Sequence, residues 1–287
     1  MTGRIAFITT CKGRLHHLRE TLPTMLSERP DEVIVVDYGC PQGTAEWVRA
    51  NHPDVKLVRV DDDPGFHHAR ARNIGAAQAR ADWLLFIDAD VRVKPGWCAW
   101  MAQSLRRGAF YRAGSVNGVR EPETFGTAIC PRDAFVRIEG YDEAFRGWGG
   151  EDTDLYRRLS ALGLSMQAYP ADFIDVIHHG DDERMGFAEV KEKGLQFIAN
   201  QAYIQAKYQL MHFRRGEHPT LKERVDLMEH VKTAVREWGT SDRTEPLVLN
   251  FRMGGDRWIP APYRMKADVL FALTITLQDA PAAAGRD

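Results

Sequence analysis

The sequence predicts an α/β fold with a mostly parallel central sheet, and three observations point to it. Apolar runs typical of strands alternate with segments of helical periodicity through the first half of the chain. The run over 83–87 is apolar at every position, as in a strand that is buried on both faces of a sheet. Strands separated by helices require crossover connections, which are right-handed and join parallel strands.

Each element of the first half follows from its own pattern of apolar residues. In chain order the patterns predict a strand over 4–10, a helix around 15–26, a strand over 33–36, a helix over 44–50 with Thr44 as its candidate cap, a strand over 55–60, an alanine-rich helix over 69–81 and the strand over 83–87.

The second half has a different character. Its patterns predict a strand over 124–130, a glycine-rich turn over 147–150, a helix over 151–162 and a strand over 172–177. Beyond about Gly186 the pattern is helical and charged, and apolar residues between 225 and 238 have the spacing of an amphipathic helix. We therefore expect a domain over 1–185 and a helical C-terminal appendage over 186–287, with a frayed tail from Pro281.

Composition argues against nucleic-acid-binding, membrane-spanning and disulfide-rich secreted proteins. The chain has 287 residues and a formal net charge of −2, which argues against a nucleic-acid-binding surface. No apolar run approaches the roughly 18 residues of a membrane span, and the start of the chain lacks a signal-peptide pattern. The four cysteines are widely spaced, so we expect free thiols and a cytoplasmic location.

Two aspartates one residue apart, Asp88 and Asp90, end the most apolar strand. The carboxyl ends of strands in open α/β sheets are where ligands bind. Two acids so close repel each other unless a cation lies between them or one is protonated. A divalent metal that carries a diphosphate would satisfy both, and Mg²⁺ and Mn²⁺ both favour oxygen ligands. The alternative is a pair of solvated acids in a turn.

Three further positions lie near the same edge of the predicted sheet. Asp37 ends the second strand, where its carboxylate can accept hydrogen bonds from a nucleobase or ribose, or form an Asx-turn before Tyr38. The segment that contains Thr10 follows the first strand and opens a helix whose backbone amides suit an anion or a base edge. Arg72 can hold a phosphate with two parallel hydrogen bonds.

The most specific motif is Gly147-Trp148-Gly149-Gly150-Glu151-Asp152. Its glycines let the backbone approach a ligand closely, and Trp148 offers a flat apolar face that suits a sugar ring. Glu151 and Asp152 then begin a helix, where a favourable interaction with the helix dipole explains one acid. A carboxylate in an apolar pocket can also act as a general base.

A pair of histidines, His178 and His179, ends the last predicted strand. Adjacent residues on a strand point to opposite faces, so at most one of the two should complete a metal site with the aspartates. We favour His179, because it lies next to the Gly180 loop, and leave His178 as the alternative.

In this order these residues resemble the GT-A glycosyltransferases, and above all family 2 inverting enzymes that carry a C-terminal motif like that of β-1,4-galactosyltransferases and bacterial chondroitin polymerases. The resemblance covers about 4–180. The matching segments are Thr9-Thr10, Asp37, Ala71-Arg72-Asn73, Asp88-Ala89-Asp90, Gly140-Tyr141-Asp142-Glu143 and Gly147-Trp148-Gly149-Gly150-Glu151-Asp152.

The resemblance implies a Rossmann-like GT-A fold, with a nucleotide-sugar half over about 1–95 and an acceptor half over about 96–185. It also implies a role for each matching residue. Thr10, Asp37, Arg72 and Asp88 would bind the donor, and Asp90, Asp88 and His179 would bind Mn²⁺ or Mg²⁺. Asp152 would take the proton of the acceptor. Glu151 would bind the donor or acceptor sugar, and Trp148 would stack on the acceptor.

The resemblance thus implies transfer of a sugar, with inversion, from a nucleotide-diphosphate donor such as a UDP-sugar to a hydroxyl of a glycan or glycolipid. Peripheral contact with a membrane and the oligomeric state stay open. Two alternatives are a non-catalytic sugar-nucleotide-binding module and a haloacid dehalogenase-type phosphatase. The phosphatases also place Asp-x-Asp after a buried strand, but they require Thr or Val where this chain has Arg92.

Overall fold

The computed structural model describes residues 3–184, 186–187 and 192–277. Internal contacts divide the chain into two compact units, residues 1–189 and 190–287. The predicted frayed tail from Pro281 lies outside the described residues.

Nine strands of the first unit are described. They are β1 (Ile5–Cys11), β2 (Glu32–Asp37), β3 (Lys56–Arg59), β4 (Trp83–Phe86), β5 (Val91–Val93), β6 (Ala109–Ala113), β7 (Ala128–Pro131), β8 (Ser165–Tyr169) and β9 (Ile174–Val176). Its described helices are α1 (Leu15–Ser27), α2 (Thr44–Asn51), α3 (His68–Gln78), α4 (Trp97–Ser104), α5 (Arg132–Arg137), α6 (Glu151–Ala161) and α7 (Asp181–Arg184).

Seven of these strands form one sheet in the order β3-β2-β1-β4-β7-β6-β8. The pairs β1/β2, β2/β3, β1/β4 and β6/β8 are parallel, whereas β7 runs antiparallel to both β4 and β6. The predicted mostly parallel sheet is therefore confirmed. The short strands β5 and β9 pair separately beside it.

Helices cover both faces of the sheet because successive strand residues point to opposite sides. Phe7 belongs to one core cluster together with Leu18 of α1 and Trp97 of α4. Its neighbour Ile8 belongs to a second cluster, which includes Ala71 of α3 and Leu155 of α6. Strands with both faces buried read as continuous apolar runs, which is why the sequence revealed them.

One predicted helix cap and the predicted starts of two strands in this unit differ from the structure. Gly43, with a φ of 76°, precedes α2 as its N-terminal cap, and the hydroxyl of Thr44 lies 3.3 Å from Cys11 Sγ instead of capping the helix. The strand predicted over 124–130 begins only at Ala128, because residues 122–124 form a 3₁₀ turn. Residues 171–173 likewise form a 3₁₀ turn before β9.

The second unit contains the helices α8 (Lys193–Phe213) and α9 (Leu221–Gly239) and the strands β10 (Leu247–Arg257) and β11 (Met265–Ile275). The capping box of Thr220 and Glu223 begins α9. The predicted helical appendage is helical over α8 and α9, but the prediction is wrong for the strands β10 and β11, which pair along their length as an antiparallel hairpin. One face of β10 packs against the helices through alternate residues, Leu247, Leu249 and Phe251. A search for helical periodicity does not recognise this alternation, because its period is two residues.

Among the described residues no helix is both long and apolar enough to cross a bilayer. All four cysteines are free thiols, as the sequence predicted.

Candidate active site

The predicted site residues from three parallel strands lie at the carboxyl edge of the sheet. In the register of β1 and β2, Thr10 is opposite Val36 and Cys11 is opposite Asp37. Asp88 follows β4, whose partner strand is also β1. The parallel pairing brings the ends of these strands to one edge, where ligands of α/β proteins bind.

Arg72, from α3, lies at the centre of the site. Its Nη2 donates to Asp88 Oδ1 at 2.7 Å, and its Nη1 donates to Asp152 Oδ1 at 2.9 Å and to Glu151 Oε1 at 3.4 Å. The guanidinium also lies 5.1 Å from the ring centre of Tyr141. One buried cation thus joins the acid after β4 to the two acids that begin α6.

Burial raises the pKa of each of these acids, whereas the positive charge of Arg72 lowers it. Burial raises the pKa of Asp88, but the neighbouring Arg72 outweighs it and the net pKa is lowered. Burial, followed by repulsion from Asp152, raises the pKa of Glu151 to about 8. Burial also raises the pKa of Asp152, whereas Arg72 and the hydroxyl of Tyr141, 3.3 Å from its Oδ1, act against this rise. A protonated Glu151 leaves the negative charge of the pair on Asp152.

Gly126, in the loop before β7, lies against this network. A Cβ atom at this position would lie 2.7 Å from Arg72 Nη2, 2.8 Å from Asp88 Oδ2 and 3.2 Å from Asp152 Oδ2. The second oxygens of both aspartates therefore face the same small space, which any side chain at position 126 would fill.

Asp90 belongs to a second group of polar side chains beside the first. Its Oδ2 lies 2.8 Å from His179 Nε2 and 2.5 Å from Arg14 Nη1. The hydrogen bond to Asp90 raises the pKa of His179. His178 instead contacts Glu123, with 2.7 Å between Nδ1 and Oε2.

A carboxylate and an imidazole nitrogen in contact are donors that Mn²⁺ accepts, so Asp90 and His179 fit a divalent metal. Asp88 is less suited to binding the metal, because its Oδ1 already accepts a hydrogen bond from Arg72. Within the part of the chain that the structure describes, the groups of three donors that converge within 4.8 Å are His16, His17 and Glu183, and Glu121, Glu123 and His178. Asp88, Asp90 and His179 do not form such a group.

Asp37 is fully buried, and the backbone occupies both of its oxygens. Oδ1 accepts from the amide of Cys40 at 2.7 Å and Oδ2 accepts from the amide of Ala45 at 2.9 Å. Burial raises the pKa of Asp37, and these two hydrogen bonds oppose the rise. These amides lie three and eight positions after Asp37, not two as in the Asx-turn alternative, and contact with a nucleotide stays a prediction. Thr10 is also buried.

Trp148 is half-buried and lines a narrow cleft of about 20 Å³, together with Lys12, His68 and Phe187. Gly147, Gly149 and Gly150 have φ values of 95°, 84° and 93°. These conformations favour glycine, so the motif turns sharply between Trp148 and α6.

Sequence reasoning missed three residues of this region. Arg14 lies in the segment after β1 for which the sequence predicts ligand contacts by backbone amides, but it is its guanidinium that contacts Asp90. Gly126 carries no signal in the sequence. Arg112 is buried between Phe125 and Tyr156, with its guanidinium 4.0 Å and 4.4 Å from their ring centres, and its Nε and Nη2 have no hydrogen-bond partner among the described residues. Arg112 belongs to β6, where no element is predicted from the sequence, so no local pattern pointed to this residue.

Two family models match the chain. The model described as glycosyl transferase family 2 matches residues 6–135, and the model described as the N-terminal domain of galactosyltransferase matches residues 115–181. A validoxylamine A glucosyltransferase from Streptomyces hygroscopicus subsp. jinggangensis (strain 5008) is 27% identical over 191 residues, which cover 47% of this chain and 45% of the relative. The chain thus spans about half the length of this relative.

The fold is shared with solved structures, of which two are examples. One is Staphylococcus aureus TarS 1–349 in complex with UDP-GlcNAc, with a TM-score of 0.57, 15% identity, and coverage of 83% of this chain and 73% of that one. The other is the mannosyltransferase PcManGT from Pyrobaculum calidifontis in complex with GDP-Man and Mn²⁺, with a TM-score of 0.51, 18% identity, and coverage of 84% and 76%.

Proposed function

We propose that this protein is a metal-dependent inverting glycosyltransferase. The proposal is supported by the GT-A fold and by the match of residues 6–135 to the family 2 model. Its donor is a nucleotide-diphosphate sugar, with a UDP-sugar as our expectation. Its acceptor is a hydroxyl, which we expect on a glycan or glycolipid.

The observation that carries this proposal is the convergence of Asp88 and Asp152 on Arg72. The two aspartates are 64 positions apart in the chain, yet they bind the same guanidinium at 2.7 Å and 2.9 Å. This arrangement puts an acid of the motif that begins α6 beside the acid that follows β4. A donor bound at the sheet edge would therefore have its reacting carbon near a candidate base.

The proposed reaction is one displacement at the anomeric carbon. Asp152 takes the proton of the acceptor hydroxyl, the acceptor oxygen forms the new bond to the carbon, and the bond from the carbon to the diphosphate oxygen breaks. The diphosphate leaves with the bonding electrons. Because a single displacement inverts the configuration, an α-linked donor gives a β-linked product. A positioned base of this kind contributes about 10²–10⁴ in rate.

Asp90 and His179 would hold the divalent metal, with Asp88 beside them. When bound, the ion supplies positive charge that stabilises the leaving diphosphate. Arg14, which contacts Asp90, adds a second cation at this position. Thr10, Asp37 and Arg72 are the proposed donor-binding residues, and Glu151 and Trp148 are proposed to contact the transferred sugar and the acceptor.

No observation favours a phosphatase. The nucleophile of that alternative would be Asp88, and its Oδ1 accepts a hydrogen bond from Arg72. A non-catalytic binding module would share the donor-binding residues, and an activity measurement separates it from the enzyme.

The test is a transfer assay with a panel of nucleotide sugars and acceptor glycans in the presence of Mn²⁺. Asp152→Asn should reduce kcat by about 10²–10⁴ with little change in donor binding, because the amide cannot take the proton. The exposed Asp54→Asn is the matched control and should keep wild-type turnover. Near-normal turnover by Asp152→Asn at saturating donor would show that the base is another residue.

The metal and the stereochemistry are tested separately. Exhaustive chelation should abolish transfer and Mn²⁺ should restore it, while His179→Ala should raise the Mn²⁺ concentration that half-restores activity and His178→Ala should not. Activity that survives chelation would remove the metal from the mechanism. Nuclear magnetic resonance of the product from an α-linked donor should show a β linkage, and an α linkage would contradict a single displacement.

A further inference from the structure

A second cavity lies at the opposite edge of the sheet from the candidate active site. Its volume is about 410 Å³, and it is lined by residues that precede β1 and β4 and follow β7, among them Gly3, Asp82 and Arg132. Every lining residue belongs to the first unit. The volume falls in the range of sites that take small molecules.

The strand β4 separates the two sites. Trp83, its first residue, lines the cavity, and Asp88 follows its last residue at the other edge. Five residues of extended chain span about 16 Å. A ligand in the cavity therefore cannot touch the acids of the candidate active site.

The cavity has an excess of positive charge. Its lining contains four arginines, Arg80, Arg106, Arg107 and Arg132, against two acids, Asp82 and Asp133. Arg106 donates to the carbonyls of Gln103 and Leu105 at the end of α4. The guanidinium groups of Arg80, Arg107 and Arg132 make no salt bridge or hydrogen bond to any residue that the structure describes.

The acids of the lining do not neutralise these arginines. Asp82 Oδ2 accepts from the backbone amide of Arg4 at 2.9 Å, and Asp133 makes no described ion pair. The indole N–H of Trp83 has no acceptor among the described residues and lies on the side that faces Gly3, where a Cβ would be 2.8 Å from Nε1. The concave surface thus presents several unused donors and little negative charge.

We propose that this cavity binds a small anion with two linked phosphate groups, independently of the function proposed above. A guanidinium matches a phosphate with two parallel hydrogen bonds, and three such groups exceed what one phosphate needs. The volume of about 410 Å³ also exceeds a single phosphate. The diphosphate can belong to a soluble molecule or to a lipid headgroup, since both present the same oxygens to the arginines.

The test measures binding of inorganic diphosphate by titration calorimetry in the presence of a chelator. The double variant Arg107→Gln/Arg132→Gln should weaken binding at least 10-fold. Arg137→Gln is the matched control, because Arg137 is an exposed arginine of α5 outside the cavity. It should bind diphosphate as the wild type does. Thermal unfolding of all three proteins checks that the exposed substitutions leave the fold intact.

A second arm separates the two sources of the phosphates. Flotation with vesicles that contain a lipid diphosphate, against vesicles of phosphatidylcholine alone, should show binding that depends on Arg107 and Arg132 if the source is a headgroup. Binding of soluble diphosphate with no vesicle binding assigns a free molecule. Equal diphosphate binding by the wild type and the double variant, or none at millimolar concentration together with no flotation, overturns the proposal.

Discussion

At the scale of single residues, Arg72 controls the candidate site. Its guanidinium is buried and is the shared partner of Asp88, Glu151 and Asp152. A buried ion pair is costly to break, because the partner left behind is an uncompensated buried charge. Arg72 therefore holds the three acids in place, and the geometry of the site depends on the space around this one side chain.

Gly126→Ala tests that dependence. The new methyl group would lie 2.7 Å from Arg72 Nη2 and 2.8 Å from Asp88 Oδ2, so the network must move by several tenths of an ångström or more. A misplacement of about 1 Å can cost about 10²-fold in rate, and we expect a loss of this order in kcat. Steady-state transfer kinetics measure it.

Gly108→Ala is the control, because no described atom beyond the two neighbouring residues lies within 4 Å of a Cβ at Gly108. It should retain wild-type turnover. A Gly126→Ala enzyme with wild-type kcat would mean that the Arg72 network does not take part in the reaction as described.

Glu151→Gln tests the protonation of the buried acid pair. Burial, with repulsion from Asp152, raises the pKa of Glu151 to about 8, so the folded protein holds this proton more tightly than the unfolded chain. The stability from this group is fully present below the unfolded pKa of about 4.3 and is lost as the pH rises through about 8. The free energy of unfolding of Glu151→Gln should therefore fall less between about pH 5 and pH 8 than that of the wild type.

Urea unfolding at the two pH values measures this difference. Glu237→Gln, at an exposed position of α9, should keep the wild-type dependence on pH. A Glu151→Gln variant with the same pH dependence as the wild type would show that Glu151 titrates normally in the folded protein.

At the scale of elements, the position of Arg72 depends on how closely α3 approaches the sheet. Gly75, one turn after Arg72, faces β1 and β2, and a Cβ there would lie 2.5 Å from Ile8 Cγ2 and 3.1 Å from Val36 Cγ2. The glycine lets the helix backbone lie directly on the two strands. The side chains of α3 thereby reach the carboxyl edge of the sheet.

Gly75→Ala should destabilise the protein even though alanine favours helices. Overpacking a filled core costs about 1–3 kcal/mol, which exceeds the gain of up to about 1 kcal/mol from helix propensity. Chemical denaturation measures the net loss. Ala77→Val, which adds volume at an exposed position of the same helix, should change the free energy of unfolding by much less. Equal effects of the two substitutions would mean that α3 has room at Gly75.

At the scale of the whole molecule, ligand binding should be visible as stability. A ligand that binds only the folded protein stabilises it by about 2.7 kcal/mol at 100 times its dissociation constant. We expect UDP with Mn²⁺ to raise the unfolding temperature more than UDP with a chelator, because in the proposed site Asp90 and His179 would hold the metal that stabilises the diphosphate. Thermal shift assays over a panel of nucleotide diphosphates measure this and rank the bases.

Asp90→Ala should lose the Mn²⁺-dependent part of this stabilisation, and the exposed Asp54→Ala should keep it. If UDP stabilises the wild type equally with Mn²⁺ and with chelator, the metal has no part in donor binding.

Local patterns allowed much of the first unit to be predicted. Strands buried on both faces appear as apolar runs, as in β4, and amphipathic helices such as α1 repeat with their own period. The hairpin of β10 and β11 was missed, because its strands follow two clear helices and contain glycine and charged residues that weaken the alternation. Boundaries near β7 and β9 also failed, since short 3₁₀ turns have no distinct period.

The sequence by itself determined which acids follow a strand and which begin a helix, because local periodicity predicts the order of these elements. It placed Asp88 and Asp90 after β4, and Glu151 and Asp152 at the start of α6. Only the tertiary structure decided that Arg72 joins Asp88 to Asp152, that Gly126 borders them, and that His179 rather than His178 contacts Asp90. The physical reason is that these contacts join segments 16 to 89 residues apart, and their geometry depends on sheet register and helix packing, which no local pattern records.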